Sequence, residues 1–310
     1  MTGTGSDLLD ESAAARLLPE RAPRSHKGTF GRVVAVAGSL DYAGAALMAG
    51  AAALRAGSGL VTLCVPLSLQ PVIAGRVPEL ITLGLPETAP HEVDPVRAAA
   101  ALAELPADAL LVGPGLPATR ANRRLVAAVL RAEGAPALVD AGALTALADA
   151  PGWWDRLGRL TIVTPHPGEF ARLGRDAGDS DEARRAAAIA AATDWGVIVV
   201  LKGAHTVIAG PDGRGLSTDL EVPALATAGS GDVLAGVIAS YVGQGLEPFE
   251  ASALGVYVHG LAGQWLGERF ADSGVIATDL LTTIPRARRY LLDGRDRGPL
   301  GFGSPSEAEA

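Results

Sequence analysis

Short runs that are apolar throughout recur along this chain, separated by Ala-rich stretches. The runs at residues 32–37, 60–65, 80–84, 109–112, 137–140, 160–164 and 197–201 read as β-strands. The stretches between them, 43–56, 118–133, 141–150 and 180–195, read as helices. A strand without polar alternation buries both faces, so this pattern predicts a parallel sheet covered on both sides by helices. The expected class is a doubly wound α/β fold. After Lys202 the texture changes: residues 205–209 and 215–218 flank Pro211-Asp212-Gly213 and read as a β-hairpin. Three helices follow, at 232–244, 247–267 and 278–292. Residues 1–25 read as an N-terminal extension, 26–293 as one domain, and the Gly-, Pro-, Ser- and Glu-rich stretch 294–310 as a disordered tail.

Composition narrows this picture. With 310 residues, 48% of them hydrophobic, the chain can bury one large core. A single cysteine, Cys64, sits inside an apolar run, which excludes a disulfide framework and fits a reducing cytosol. The first 25 residues carry acids and lack an apolar core, so no secretory leader is expected, and no run of 18 apolar residues predicts a membrane span. The expected location is the cytoplasm. A net charge of −8 without a basic cluster argues against a nucleic-acid partner. Of 26 Lys plus Arg, only Lys27 and Lys202 are lysines. A chain that uses Arg for its surface cations is expected to keep Lys where a compact ammonium is needed. Both lysines lie in glycine-marked segments, Lys27-Gly28-Thr29-Phe30-Gly31 and Lys202-Gly203-Ala204-His205-Thr206.

The richest stretch is Gly229-Ser230-Gly231-Asp232, running into the apolar pattern Val233-Leu234-Ala235. Two glycines let the backbone curl so that successive N–H groups face one anion, and a helix start adds its positive end. Asp232 at the lip of such a cradle suits a substrate hydroxyl meeting a phosphoryl group. The helix start is expected to keep this carboxylate ionised and its pKa low. Glycines with an N-capping Asp also make an ordinary loop-to-helix turn, so the reading needs support elsewhere. The other strand ends supply it. In doubly wound sheets ligands sit outside the carboxyl ends of the strands. There the chain places Gly38-Ser39 followed by Ala43-Gly44, then Gly113-Pro114-Gly115, Asp140, Thr164-Pro165-His166-Pro167-Gly168-Glu169, and Lys202-Gly203. Asp140 reads as a helix cap rather than a magnesium ligand.

Taken together, KGTFG, YAGAALMAGAAALRAGSGLV, GPGL, DAGAL, TPHPGEFARL, LKGAHTVI, AGSGDVLAGVIA and HGLAG resemble the ribokinase-like, ADP-dependent NAD(P)H-hydrate dehydratases, over residues 27–292. The GxGD turn is shared across small-molecule kinases of that superfamily; TPHPGEF, LKGAHT and KGTFG are more specific. The resemblance implies dehydration of the S-epimer of NADH or NADPH hydrate back to the reduced cofactor. ADP is the co-substrate and goes to AMP and phosphate, with Mg²⁺ neutralising the diphosphate, although the sequence shows no dedicated metal site. Family members often carry an epimerase domain of some 200 residues. Only about 25 residues precede the motifs here, so a separate epimerase is expected, and relatives imply a homotetramer.

On this resemblance Asp232 orients the substrate hydroxyl and accepts its proton. Gly229, Ser230 and Gly231 hold the transferring phosphoryl group. Lys202, Gly203, Ala204, His205 and Thr206 bind nucleotide, with Lys202 as a point charge on phosphate. His166, with Glu169, takes the substrate side, and Ala43, Gly113 and Gly115 form wall and floor. Plainer readings stand beside these: a strand-terminal lysine, a histidine satisfied within its loop with Glu169 capping the next helix, and small residues serving tight packing. His259 reads as a structural tie between two helices near the nucleotide. The main alternative is a kinase of thiazole or pyrimidine alcohols, which shares fold and GxGD but is expected to lack TPHPGE and KGTFG. A binding protein with a degenerate site is expected to lose Asp232. An NAD-dependent dehydrogenase is disfavoured because no GxGxxG closes the first β-α turn.

Overall fold

Nine strands line up in one sheet, and helices cover both of its faces. The computed structural model describes residues 8–271 and 273–297. The first half contains α1 (Glu11–Arg16), β1 (Arg32–Val36), α2 (Ala43–Ala56), β2 (Leu60–Pro66), α3 (Gln70–Ile73), β3 (Ile81–Leu85), β4 (Glu87–Ala89), β5 (Glu92–Val93) and α4 (Pro95–Ala103). It continues with β6 (Ala109–Val112), α5 (Arg120–Arg131), β7 (Ala137–Val139), α6 (Gly142–Ala148), β8 (Thr161–Val163), α7 (Pro167–Arg172), α8 (Asp181–Trp195) and β9 (Ile198–Leu201). The remainder is β10 (Val207–Ala209), β11 (Gly215–Ser217), α9 (Ser230–Gly243), α10 (Pro248–Phe270) and α11 (Ala277–Arg297).

The sheet order is β11-β10-β9-β8-β7-β6-β1-β2-β3, parallel except for β10, which runs antiparallel to both neighbours. Each of the seven apolar runs is a strand of this sheet, and the expected hairpin is β10–β11. Successive residues of β1 point to opposite faces, so Val33 and Ala35 join one core with α2, α9, α10 and α11. Val34 and Val36 join a second core with α5, α6 and α8. Cys64 belongs to the second core, where burial pushes its thiol up to about 12 and leaves it inert.

The chain steps from β1 to β2 and β3, then returns to the other side of β1 at β6 and proceeds outward. The crevice between the carboxyl ends of β1 and β6 is therefore the topological switch point. It is pinned by the Gly38 N–H donating to Pro114 O at 2.7 Å. The segment Lys27–Phe30, a short 3₁₀ turn, precedes β1 and meets the start of β2, where Gly59 N–H donates to Phe30 O at 3.0 Å. In a parallel sheet that is the amino edge, opposite the strand ends that carry the other motifs. Lys27 thus stands away from the site, and KGTFG is a turn that feeds β1.

Among the described residues α1, α3, α4, α7 and the two-stranded ribbon β4–β5 are additional to the expected elements. The start signal of α4 is Asp94, whose Oδ1 accepts from Val96 N–H and Arg97 N–H at 3.0 and 3.1 Å, with Pro95 at the first helical position. At the carboxyl end α11 extends through Arg297, so residues 294–297 continue a helix, and the rest of the expected tail lies outside the described residues. No helix among the described residues is long and apolar enough to cross a membrane.

Candidate active site

The expected phosphoryl cradle lies at the start of α9. Gly229 holds φ at +88°, the left-handed conformation that costs an L side chain strain, and a Cβ there would lie 2.5 Å from Met48 Cε. The helical ladder begins with Val233 N–H donating to Gly229 O at 3.1 Å, and Ser230 N–H turns back to Thr227 O at 3.3 Å. The amides of Gly231 and Asp232 fall in the first turn, where helical geometry supplies no acceptor. They are the donors available to an anion, and the helix dipole favours one.

His259 of α10 fixes this turn from behind. Its Nε2 lies 3.2 Å from Ser230 Oγ and 3.1 Å from Ser230 O. Burial lowers the imidazole to about 4, so the ring is neutral at pH 7 and carries its proton on Nε2 toward the carbonyl. His259 also lines the neighbouring cavity.

Lys202, at the end of β9, lies across from the cradle. Its Nζ donates to Asp140 Oδ1 at 2.8 Å and stands 3.7 Å from Glu169 Oε2. A Cβ built on Gly231 would be 3.4 Å from the same Nζ, so the ammonium sits against the first turn of α9. Burial works to lower the Lys202 pKa, but Asp140, Glu169 and Asp232 outweigh it and raise it above its ordinary value. The cation is permanent.

Asp232 shows the opposite balance. Burial, followed by the negative charge of Asp140, raises its carboxyl to about 6 against the partial compensation of Lys202. This corrects the expectation of a low pKa at a helix start. The dipole is outweighed by burial and by the neighbouring carboxylates.

Asp140 is 1% exposed and does not cap a helix with its side chain. The residue preceding α6 is Ala141, at φ +50°, and the Asp140 carboxylate instead receives Lys202 and the Thr164 hydroxyl, both at 2.8 Å. The sequence offered no sign of this, because the partners are 62 and 24 positions away.

His166 caps α7: its Nδ1 accepts from Gly168 N–H at 3.0 Å and Glu169 N–H at 3.3 Å, while His166 N–H donates to Glu169 Oε2 at 2.9 Å. Both capping readings therefore hold in the geometry, and the half-exposed ring still lines the cavity. That cavity, of about 680 Å³, collects His166, Lys202, Gly203, Ala204, Thr206, Ser230 and Gly231 from the expected residues. Its outer wall is the segment between Thr218 and Thr227, which sequence reasoning passed over; the Val222-Pro223 step was the available signal.

The other expected residues lie apart from this lining. His205 is bracketed by Asp181 Oδ2 at 2.6 Å and Glu221 Oε1 at 3.0 Å. Gly229 and Asp232 form the cradle's rim. Ala43, Gly113 and Gly115 gather at the switch-point crevice: a Cβ on Gly113 would be 1.8 Å from Asp140 O, and one on Gly115 would be 2.6 Å from Tyr42 O. Close packing alone requires these glycines. Among the described residues no three His, Cys, Asp or Glu side chains gather to hold a metal ion.

A carboxylate poised near neutrality beside an anion-binding helix start, at the carboxyl edge of a doubly wound sheet, is the arrangement of a ribokinase-like enzyme. Residues 33–286 match the Carb_kinase family, described as NAD(P)H-hydrate dehydratase, and the chain belongs to that family.

It is 44% identical over 291 residues to a bifunctional NAD(P)H-hydrate repair enzyme of Moorella thermoacetica, covering 92% of this chain and 54% of that protein. The chain thus spans about half the length of several curated relatives it matches. It is 38% identical to an ADP-dependent (S)-NAD(P)H-hydrate dehydratase of Xanthomonas campestris, covering 93% of this chain and 96% of the relative. An ADP/ATP-dependent NAD(P)H-hydrate dehydratase of Bacillus subtilis, co-crystallised with ATP and Mg²⁺, superposes with a TM-score of 0.79 at 32% identity. That match covers 92% of this chain and 98% of the other. A hydroxyethylthiazole kinase of Pyrococcus horikoshii shares the fold alone, with a TM-score of 0.61 at 15% identity.

Proposed function

We propose that this protein returns the S-epimer of NADH or NADPH hydrate to the reduced cofactor, converting ADP to AMP and phosphate. The observation that carries the reading is Asp232, raised to about 6 at the lip of the α9 cradle beside a cavity large enough for a nucleotide. The hydroxyl of the hydrate is a poor leaving group. Transfer of the β-phosphoryl group of ADP to that oxygen, with its proton going to Asp232, makes it a good one and releases AMP. The C–O bond then breaks with its electron pair going to phosphate, and loss of a proton from the adjacent ring carbon restores the double bond. A base near 6 is ionised at pH 7 yet basic enough to share the proton as the phosphoryl group transfers. The amides of Gly231 and Asp232 stabilise the transferring group, and Lys202 adds a permanent positive charge beside it.

Mg²⁺ is expected to arrive on the diphosphate. The protein offers it no cage: Asp140 Oδ1 is taken by Lys202 and Thr164, its Oδ2 is buried without a protein partner, and no group of three ligands forms among the described residues. The switch-point crevice at Ala43, Gly113 and Gly115 is the candidate place for the hydrate. The companion epimerase, cytoplasmic location and homotetramer implied by resemblance are part of the same proposal.

The direct test incubates the protein with NADPH hydrate, Mg²⁺ and either ADP or ATP, following the nicotinamide absorbance. Return of NADPH with AMP and phosphate in equal amounts is expected. Phosphorylation of a thiazole or pyrimidine alcohol with the hydrate untouched would replace this reading with the kinase one.

A further inference from the structure

Asp140 is a buried charge that neither the GxGD turn nor the LKGAHT segment explains. It is 1% exposed, with Oδ1 accepting from both Lys202 Nζ and Thr164 Oγ1 at 2.8 Å. A buried ion pair of this kind is often no more stabilising than apolar residues of the same volume. Its value must then lie in where it holds the lysine. The tethered ammonium stands against Gly231 and 3.7 Å from Glu169, at the first turn of the helix that carries Asp232.

We propose that Asp140 is a positioning residue: by tethering Lys202 at the start of α9, it fixes the charge that Asp232 faces. The consequence for turnover rests on the dehydratase reading, whereas the electrostatic claim concerns the protein alone. The charged and titratable groups around the pair are Asp140 after β7, His166 and Glu169 of α7, Arg184 of α8, whose guanidinium donates to Lys202 O at 3.0 Å, Asp232 of α9 and His259 of α10. His259 is neutral, so Lys202 is the cation shared by three carboxylates. Asp140 is buried with its Oδ1 held by Lys202 and Thr164, and Glu169 is held by the His166 amide. Asp232, half-buried at the cradle's lip, is the member left to exchange a proton. Removing Asp140 takes away a like charge and frees the ammonium to turn toward Asp232; both changes favour the ionised carboxylate. Removing Lys202 has the opposite effect.

The experiment titrates Asp232 in nucleotide-free protein, using ¹³C-carboxyl-labelled aspartate and NMR. The signal is assigned by its loss in Asp232→Asn. Asp140→Asn is expected to move the Asp232 midpoint down by about one unit or more, and Lys202→Met to move it up by a similar amount. In both variants the acid limb of kcat/KM against pH follows the midpoint. An unmoved midpoint in Asp140→Asn overturns the proposal. Should that variant fail to fold, Lys202→Met decides alone, because no upward shift would mean that the ammonium does not face Asp232. Failure of the dehydratase reading looks different: the wild-type protein would leave the hydrate unchanged while the titration shifts persisted.

Discussion

At the scale of single residues, Asp232 carries the sharpest consequences. With Asp232 as the proposed proton acceptor, its raised value near 6 predicts that kcat/KM falls below about pH 6, where the carboxylate becomes protonated. Asp232→Asn keeps the size and removes the acceptor, so turnover is expected to drop by about 10²–10⁴-fold in a steady-state assay. The same shift has a stability side. A carboxyl raised in the folded state favours folding in its protonated form, so its contribution is present below the unfolded value and lost as pH rises through about 6. Asp232→Asn should therefore raise Tm at pH 8 and leave it nearly unchanged at pH 4, which thermal unfolding at the two pH values checks. A variant that is equally stable and equally active at pH 8 would reduce Asp232 to a residue of the first helical turn. The position of Asp232 was legible in the sequence, because GxGD before an apolar helix is a local pattern. Its proton affinity was not, because it is set first by burial against distant segments and then by the charges of Asp140, Lys202 and Glu169, which come from three other strand ends.

Elements follow the same division between local and distant causes. Strands β1 to β3 and β6 to β9 announce themselves because a sheet covered on both faces leaves no polar alternation. Helix α2 begins and ends where the Ala-rich stretch does, stopping at Gly57, whose φ of +116° closes it. What stayed hidden was set by packing between segments far apart. KGTFG looked like ligand chemistry and is a turn at the amino edge, because a glycine-rich loop reads alike whether it approaches a phosphate or another backbone. Gly113 and Gly115 show the same ambiguity at the switch point. The glycine whose conformation bears most directly on the site is Gly229. Gly229→Ala must adopt φ near +88° and push Met48 aside, at a cost of about 1–2 kcal/mol for the backbone alone. A lower Tm is expected, with a further loss of kcat as the cradle amides turn. Adding Met48→Ala should relieve the side-chain clash and recover part of the stability, but not the activity. Full recovery of both would show that the left-handed turn is not what holds the phosphoryl group.

The whole molecule depends on a segment that composition sets aside. Residues 8–18 read as an extension, yet Leu9, Ala14, Ala15 and Leu18 are buried at 1%, 0%, 6% and 4% exposure. Leu9 N–H donates to Ser217 O at 2.8 Å, so the chain covers the outer edge of β11. Arg288 and Arg295 of α11 donate to the carbonyls of Pro19 and Leu18, both at 3.2 Å. The same segment thereby joins the hairpin edge to the last helix. An uncovered edge strand is a pairing hazard, and full burial of a leucine is worth about 1.5–3 kcal/mol. A chain shortened to begin at residue 26 is therefore expected to lose about 10 °C or more in Tm by calorimetry. The effect should reach the site by a definite route. Thr218 and Leu220, directly after β11, belong to the outer wall of the cavity, so releasing the edge loosens that wall. Weaker ADP binding is expected by isothermal titration, measured well below the lowered Tm. The acid limb of kcat/KM should stay in place, because Asp140, Lys202 and Asp232 are held by β7, β9 and α9. A shortened chain with unchanged Tm and ADP affinity would show that residues 8–25 decorate the fold; a displaced acid limb would show that the hairpin edge also governs the charge cluster.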